Sequence, residues 1–202
     1  MYQDIAISTW VLENISQKNL WIGHIAKFLS NINSWGQMWL LIMLILIVYN
    51  TIKNKKFSFH YLIAIIPVII GWCICEYWIK NLIARPRPYQ EIEAFKEFMD
   101  VINYKYPKSY SFPSGHTTVS FAAAFVLASS NKKYIPYAYI LASLIALSRI
   151  ILGAHYLSDV IAGMGVGTII GSLGILLSKF LSPKIDPIFN NFIEKKFKHE
   201  TR

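Results

Sequence analysis

Apolar positions in this chain come in long charge-free runs rather than in short stripes. The run from Phe28 to Ile52 lies between Lys27 and Lys53 and is solidly apolar from Met38 to Tyr49. Phe57 to Cys75 is charge-free and continues apolar to about Ala84, interrupted by Glu76 and Lys80. Ser109 to Asn131, entered through Pro113, makes a third run; Tyr134 to Ser148 continues past Arg149 to Leu152; Val160 to Ser178 makes a fifth. A membrane-crossing helix needs about 20 mainly apolar residues for roughly 30 Å of hydrocarbon. The pattern therefore predicts an all-α, polytopic transmembrane helix bundle with five spans, its core over residues 35–182. The first 34 residues differ. Trp21, Ile22, Ile25, Phe28 and Leu29 recur at helical spacing, while Lys18, His24 and Lys27 break any long apolar run. That reads as an amphipathic helix lying at the interface, with a sixth span as the alternative. No basic stretch precedes an apolar one at the start, so no cleavable signal is expected. Residues 183–202 read as a basic tail.

Composition excludes the soluble alternative. Of 202 residues, 54% are apolar and 15% charged, whereas soluble domains carry about 25% charged residues. The mean hydropathy is +0.40, and so much apolar surface also rules out a disordered chain. Twenty Lys and Arg against eleven Asp and Glu leave a net charge of +9, which invites either nucleic acid or anionic lipid. Position decides. One face of the expected bundle carries Lys53, Lys55, Lys56, Lys132 and Lys133 in short loops, and Lys179, Lys184, Lys195, Lys196, Lys198 and Arg202 after the last span. On the other face Lys18, Lys27, Arg85, Arg87, Lys96, Lys105 and Lys108 are offset by Asp4, Glu13, Glu91, Glu93, Glu97 and Asp100. The lysine-rich face is expected to be cytoplasmic, in a cell (inner or plasma) membrane, and no nucleic acid is needed to explain the charge. Cys73 and Cys75, the only cysteines, diverge on a helix. They make neither a disulfide framework nor a zinc site.

Against this apolar background the polar chemistry gathers in three places. Lys80 is followed by Arg87-Pro88 at the outer end of the second span. Pro113-Ser114-Gly115-His116 opens the third. Ser148-Arg149 closes the fourth, with His155 and Asp159 just beyond. Alternating crossings put all three on the extracytoplasmic side. Lys80, Arg87 and Arg149 can neutralise a doubly charged phosphoryl group, Arg by bidentate contact and Lys as a point charge. Pro113 suits the first turn of a helix, so that Ser114, Gly115 and His116 would offer free N–H groups to an anion. His155 and Asp159, four apart, would share one helix face, letting the carboxylate fix the imidazole tautomer. His116 is then available for proton transfer. Ionisable groups at membrane depth are costly, and several together point to function.

The three motifs, including the fuller Ser111-Phe112-Pro113-Ser114-Gly115-His116, resemble those of the type 2 phosphatidic acid phosphatase superfamily of membrane lipid phosphatases, which also includes soluble vanadium haloperoxidases. The likeness runs from Lys80 to Asp159, 80 of 202 residues. It implies a two-step reaction without metal or other cofactor. His155 would attack phosphorus and form a phosphohistidine, Asp159 would orient it, and His116 would protonate the leaving oxygen and then activate water. Lys80, Arg87, Ser114, Gly115 and Arg149 would hold the phosphoryl oxygens. Arg85-Pro86 precedes Arg87-Pro88, and only Arg87 has the family's spacing from Lys80; Arg85 is left to an outer contact or a lipid headgroup.

The small size and outward site resemble bacterial members acting on undecaprenyl diphosphate. Phosphatidylglycerophosphate, phosphatidate and lipid A phosphates compete within the family. Outside it stand a vanadate-dependent haloperoxidase, a non-catalytic lipid-binding protein and a lipid-to-lipid phosphotransferase. Partners are thus a lipid phosphate and the bilayer; the sequence leaves oligomeric state open. Duller roles are expected elsewhere. Glu76, four residues before Lys80, would hold that lysine. Gly163, Gly165, Gly167, Gly171 and Gly174 would allow close helix packing. Tyr104, Tyr106, Tyr110 and Phe112 would form an interfacial aromatic belt. Ile92, Phe95, Phe98, Met99 and Ile102 mark a short amphipathic helix over 91–102 that frames substrate entry. His60 is given no role.

Overall fold

A computed structural model describes residues 2–34 and 36–200, without side chains at 193 and 195–200. The tail cations Lys195, Lys196 and Lys198 therefore have no described side chains, and Arg202 lies outside the described residues. All secondary structure among the described residues is helical. In chain order the helices are α1 (Tyr2–Val11), α2 (Leu20–Ile32), α3 (Gln37–Asn54), α4 (His60–Cys73), α5 (Lys80–Ile83), α6 (Pro88–Glu91), α7 (Glu93–Val101), α8 (Gly115–Ser130), α9 (Ile135–Ile151) and α10 (Leu157–Glu200). A π-helical turn, Ile74–Ile79, joins α4 to α5 so that they run on as one rod.

Four stretches, Gln37–Asn54, His60–Glu91, Lys132–Ile151 and Leu157–Phe192, are long and apolar enough to cross a membrane. Their flanks expose Leu40, Leu44, Ile69, Ile70, Leu144, Leu173 and Leu176, the surface expected of helices solvated by lipid. The third expected span, α8, has 16 residues, about 24 Å at 1.5 Å per residue. It is the most enclosed of the helices. Thr117, Thr118, Ser120, Ala122, Ala123, Ala124, Val126 and Leu127 are all buried, because α4, α9 and α10 pack around it. Neither α1 nor α2 is long and apolar enough to cross. Joined by a second π-helical turn, Leu12–Ser16, they fold back onto the bundle, α2 against α9.

The glycines of α10 explain how closely α8 approaches. A Cβ at Gly163, Gly167 or Gly171 would come 2.9, 2.4 or 2.7 Å from the carbonyl oxygens of Ser114, Thr118 and Ala122, one turn apart on α8. At Gly174 it would meet the Ala64 carbonyl of α4 at 2.3 Å. These four fulfil the packing expectation. Gly165 does not, since nothing lies within 4 Å of its Cβ position. Leucine at position 167 has to push α8 and α10 apart, at an overpacking cost of about 1–3 kcal/mol. Thermal unfolding in detergent should therefore show Gly167→Leu clearly destabilised and Gly165→Ala unchanged.

Candidate active site

The three sequence motifs meet at one end of the bundle, opposite the end where the 52–59 and 131–134 connections lie. That far end is itself tied together. His60 bridges Ser130 and Ser178 at 3.0 Å each, and Asp186 of α10 accepts from Ser58 Oγ at 2.7 Å and the Phe59 N–H at 2.9 Å. His60 is thus a packed polar contact. At the site end a cavity of about 470 Å³ is walled by Trp72, Glu76 and Lys80 from the α4–α5 rod, Arg87, Gly115 and His116 from α8, Arg149 of α9, and His155. Six of the eight expected site residues line it. Ser114 and Asp159 stand one layer behind.

The cations are buried and held by specific partners. Lys80, Arg87 and Arg149 are between 2% and 3% exposed, as is the His155 imidazole among them. A lysine at a span end ordinarily snorkels to water, but Lys80 Nζ points inward to Glu76 Oε2 at 2.6 Å and to Ser109 Oγ at 3.1 Å. The expected Glu76 pairing is present. Arg87 is locked by three carbonyls, Ser109 at 2.6 Å, Ala154 at 2.7 Å and Tyr110 at 3.0 Å. Arg149 donates through one Nη to the Ser30 hydroxyl and to Tyr104 Oη, the latter at 2.6 Å. Tyr104 was expected in an aromatic belt. Instead it lines the cavity and holds a cation, since the 102–111 segment folds inward over the α7 platform.

His155 does not stand on a helix. It follows a tight turn after α9 in which Gly153 adopts φ +63° and the Phe95 ring packs where a Cβ would be. That turn admits glycine only, and the Arg149 carbonyl gathers the N–H groups of Ala154 and His155 at 3.1 Å each. The expectation that His155 and Asp159 share a helix face is therefore corrected. α10 begins at Leu157, and Asp159 lies at its third position, its Oδ2 accepting the Tyr156 N–H at 2.9 Å as an N-terminal cap. The same oxygen accepts from Ser111 Oγ at 2.5 Å and lies 3.6 Å from His155 Nδ1.

The partners fix the tautomer. Arg87 Nη1, which can only donate, approaches His155 Nε2 at 3.1 Å. Nε2 therefore carries the lone pair, and Nδ1 carries its hydrogen toward Ser111 and Asp159. Burial first, then the charges of Arg87, Arg149 and Lys80, hold the His155 imidazole well below its usual pKa of 6.5. The ring stays neutral and nucleophilic at ordinary pH.

Two expectations about the α8 entry need revision. Pro113 precedes the helix rather than opening it, and Ser114 is the N-terminal cap. Its N–H is taken by the Asp159 carbonyl at 3.1 Å. The N–H groups lacking helical acceptors are those of Gly115, His116 and Thr117. The Asp159–Ser114 bond also ties α10's first turn to α8's. His116 Nε2 lies 3.2 Å from the Ser30 carbonyl. Since a carbonyl cannot donate, Nε2 carries the hydrogen and Nδ1 is left to exchange protons.

Sequence reasoning missed Ser30, Tyr104, Ser109 and Ser111 as supports, and it left Arg85 undecided. Arg85 makes an outer contact, donating to Asp159 Oδ1 at 2.5 Å and to Ser158 Oγ at 2.7 Å. Among the described residues no group of three or more His, Cys, Asp or Glu is placed to hold a metal ion.

The sequence profile of the PAP2 superfamily matches residues 57–182, the stretch that supplies every cation and imidazole just described. The chain belongs to the PAP2 superfamily. Over 166 residues, 80% of both chains, it is 31% identical to the undecaprenyl-diphosphatase BcrC of Bacillus subtilis. It is 37% identical over 95 residues to the decaprenylphosphoryl-5-phosphoribose phosphatase of Mycobacterium tuberculosis, a match spanning 47% of this chain and 49% of that one. The chain thus spans about half the length of the mycobacterial relative. Among solved structures, the fold resembles a transmembrane PAP2-type phosphatidylglycerolphosphate phosphatase from Bacillus subtilis (TM-score 0.59, 20% identity, covering 91% of this chain and 86% of that one). It also resembles LpxE of Aquifex aeolicus (TM-score 0.55, 21% identity, 84% and 93% covered). Four stretches long and apolar enough to cross a membrane make this a membrane protein of the PAP2 superfamily.

Proposed function

We propose that this PAP2 protein hydrolyses a lipid phosphate or diphosphate through a phosphohistidine intermediate. The observation that carries the reading is a buried His155 whose Nε2 lies 3.1 Å from Arg87 Nη1 inside a cavity shared with Lys80, Arg149 and His116. In the first step Nε2 of His155 forms a bond to phosphorus while the bond from phosphorus to the leaving-group oxygen breaks, and His116, entering protonated on both ring nitrogens, delivers its Nδ1 proton to that oxygen. In the second, water attacks phosphorus, the phosphorus–nitrogen bond breaks, and His116 takes the water's proton. Lys80, Arg87, Arg149 and the Gly115 and His116 N–H groups offset the charge that develops on the phosphoryl oxygens. Ser111 and Asp159 stabilise the Nδ1–H side of the ring.

A lipid substrate is supported by a second feature. An apolar slot of about 190 Å³, lined by Trp39, Leu40, Met43, Ile65, Val68 and Ile69, shares Gly36, Trp72 and Val119 with the polar cavity. Headgroup and tail thus have adjoining places. The alignment with the undecaprenyl-diphosphatase covers most of both chains, so undecaprenyl diphosphate is the first substrate to test; phosphatidylglycerophosphate, phosphatidate and lipid A phosphates are the monoester alternatives. Residues 35–182 form the catalytic core. Residues 1–34 form an interfacial segment, supported by the exposed Trp10, Trp21 and Phe28, and residues 183–202 a cytoplasmic tail. The distribution of lysines supports an extracytoplasmic site in the cell membrane. The test is phosphate release by purified protein in detergent, with EDTA, from each of these lipids. The expected result is turnover undiminished by EDTA and fastest on undecaprenyl diphosphate. Binding without turnover, or loss of turnover on chelation, would refute the proposal.

A further inference from the structure

The Asp159 carboxylate has a support that comes from outside the family match. Asp4, on the first helix, reaches across to the start of α10. Its Oδ2 accepts from Arg85 Nη2 and from Ser158 Oγ, each at 2.8 Å, and its Oδ1 accepts the Ser158 N–H at 3.1 Å. The other Arg85 nitrogen, Nη1, donates to Asp159 Oδ1 at 2.5 Å, and the guanidinium carbon lies over the Tyr156 ring, 4.2 Å from its centroid. One arginine therefore bridges two carboxylates. Asp4 and Arg85 side chains are 14% and 13% exposed, and Asp159 is fully enclosed.

We propose that Asp4 is a positioning residue for the phosphoryl-transfer step, acting through Arg85 on Asp159 and thereby on His155. The inference rests on the phosphohistidine reading. Arg85 alone would set a full positive charge against Asp159 and draw its carboxylate away from the imidazole. With Asp4 on its far side, Arg85 is neutralised, its plane is fixed, and the negative charge of Asp159 remains available to the ring as that ring becomes cationic on attacking phosphorus. Asp4 also accepts an otherwise unused N–H in α10's first turn, so it holds the turn that carries Asp159. Burial raises the Asp4 pKa, but hydrogen bonds from Arg85 and Ser158 outweigh it and bring the net value below the usual one. The family profile begins at residue 57, so this arm of the site belongs to the chain's own N-terminal helix.

The test uses the full chain and the lipid on which it turns over fastest. Asp4→Asn keeps the side chain's shape and an acceptor for Ser158 while removing its charge. Its kcat should fall by about 10- to 100-fold, as for a small misplacement of a reacting group, with KM within about twofold. Asp4→Glu should recover most of the loss, which helix docking alone would not require of a charge. The double variant Asp4→Asn/Arg85→Gln should be no slower than Arg85→Gln, because the asparagine keeps an acceptor for Ser158 and the charge it removes acts through that arginine. Parent-like kcat in Asp4→Asn, or fully additive losses in the double variant, would overturn the inference. His155→Ala, measured alongside, tests the underlying reading separately. Activity surviving that change sinks the phosphohistidine, whereas a dead His155→Ala beside an indifferent Asp4→Asn sinks only the role of Asp4.

Discussion

His155→Ala should reduce turnover by at least about 10⁴-fold, with the protein still folded and still binding lipid phosphate. In the proposed reaction this change removes the covalent step itself, and what remains elsewhere in such sites is charge stabilisation alone. The cup of Lys80, Arg87 and Arg149 is intact in this variant, and Arg87 is held by three carbonyls rather than by the imidazole. KM should therefore change little while kcat collapses. Labelled substrate quenched in alkali should leave phosphate on the parent chain, as a phosphoramidate survives base, and none on His155→Ala. A labelled variant would contradict the assignment outright.

The same residue sets the sign of the pH dependence. Burial and the three cations hold the His155 pKa well below 6.5, so this imidazole is neutral down to more acidic pH than a free one. The acid limb of kcat/KM should lie below 6.5 rather than at it. Stability follows from linkage. Below 6.5 the unfolded chain binds a proton at this position and the folded chain does not, so acid favours unfolding as pH falls through that value. His155→Ala should lose this share of the acid sensitivity, which detergent unfolding at two pH values would show.

What the sequence disclosed, and what it did not, divides along a physical line. Long charge-free runs announced the spans because lipid tolerates little else, and Lys80, Arg87, His116, Arg149 and His155 stood out because charge at that depth is expensive. The supports did not stand out. Ser30, Ser109 and Ser111 are small hydroxyls of a kind that also packs helices, and only the fold shows which of them faces a guanidinium or a carboxylate. Tyr104 looked interfacial because aromatic residues near a span end usually are. Its inward turn depends on α7 packing Phe95, Phe98 and Met99 beneath the 102–111 segment, a contact no local pattern encodes. The spacing of His155 and Asp159 was legible while its cause was misread. Four residues bring two side chains together on a helix, but here the approach comes from a glycine turn followed by an N-terminal cap. Pro113 misled similarly, since proline suits both the first turn of a helix and the position before its cap.

His116 offers the sharpest separation between diphosphate and monoester substrates. With Nε2–H committed to the Ser30 carbonyl, Nδ1 is the nitrogen that would trade protons in both steps of the proposed reaction. Steady-state turnover of His116→Ala should fall by about 10²–10⁴-fold, the range for loss of a positioned acid–base group. Which step becomes limiting depends on the leaving group. A monoester expels an alkoxide, which needs a proton as the bond breaks, so the first step stalls and no phosphoenzyme forms. A diphosphate expels a lipid phosphate, a stable anion that leaves with little help, so the first step survives and only hydrolysis of the phosphohistidine waits for a base. Mixed with undecaprenyl diphosphate, His116→Ala should release close to one equivalent of undecaprenyl phosphate in a burst and accumulate alkali-stable phosphoprotein. With phosphatidate it should show neither. A burst from both lipids would move the proton donor to another residue. Full steady-state activity would remove His116 from the chemistry.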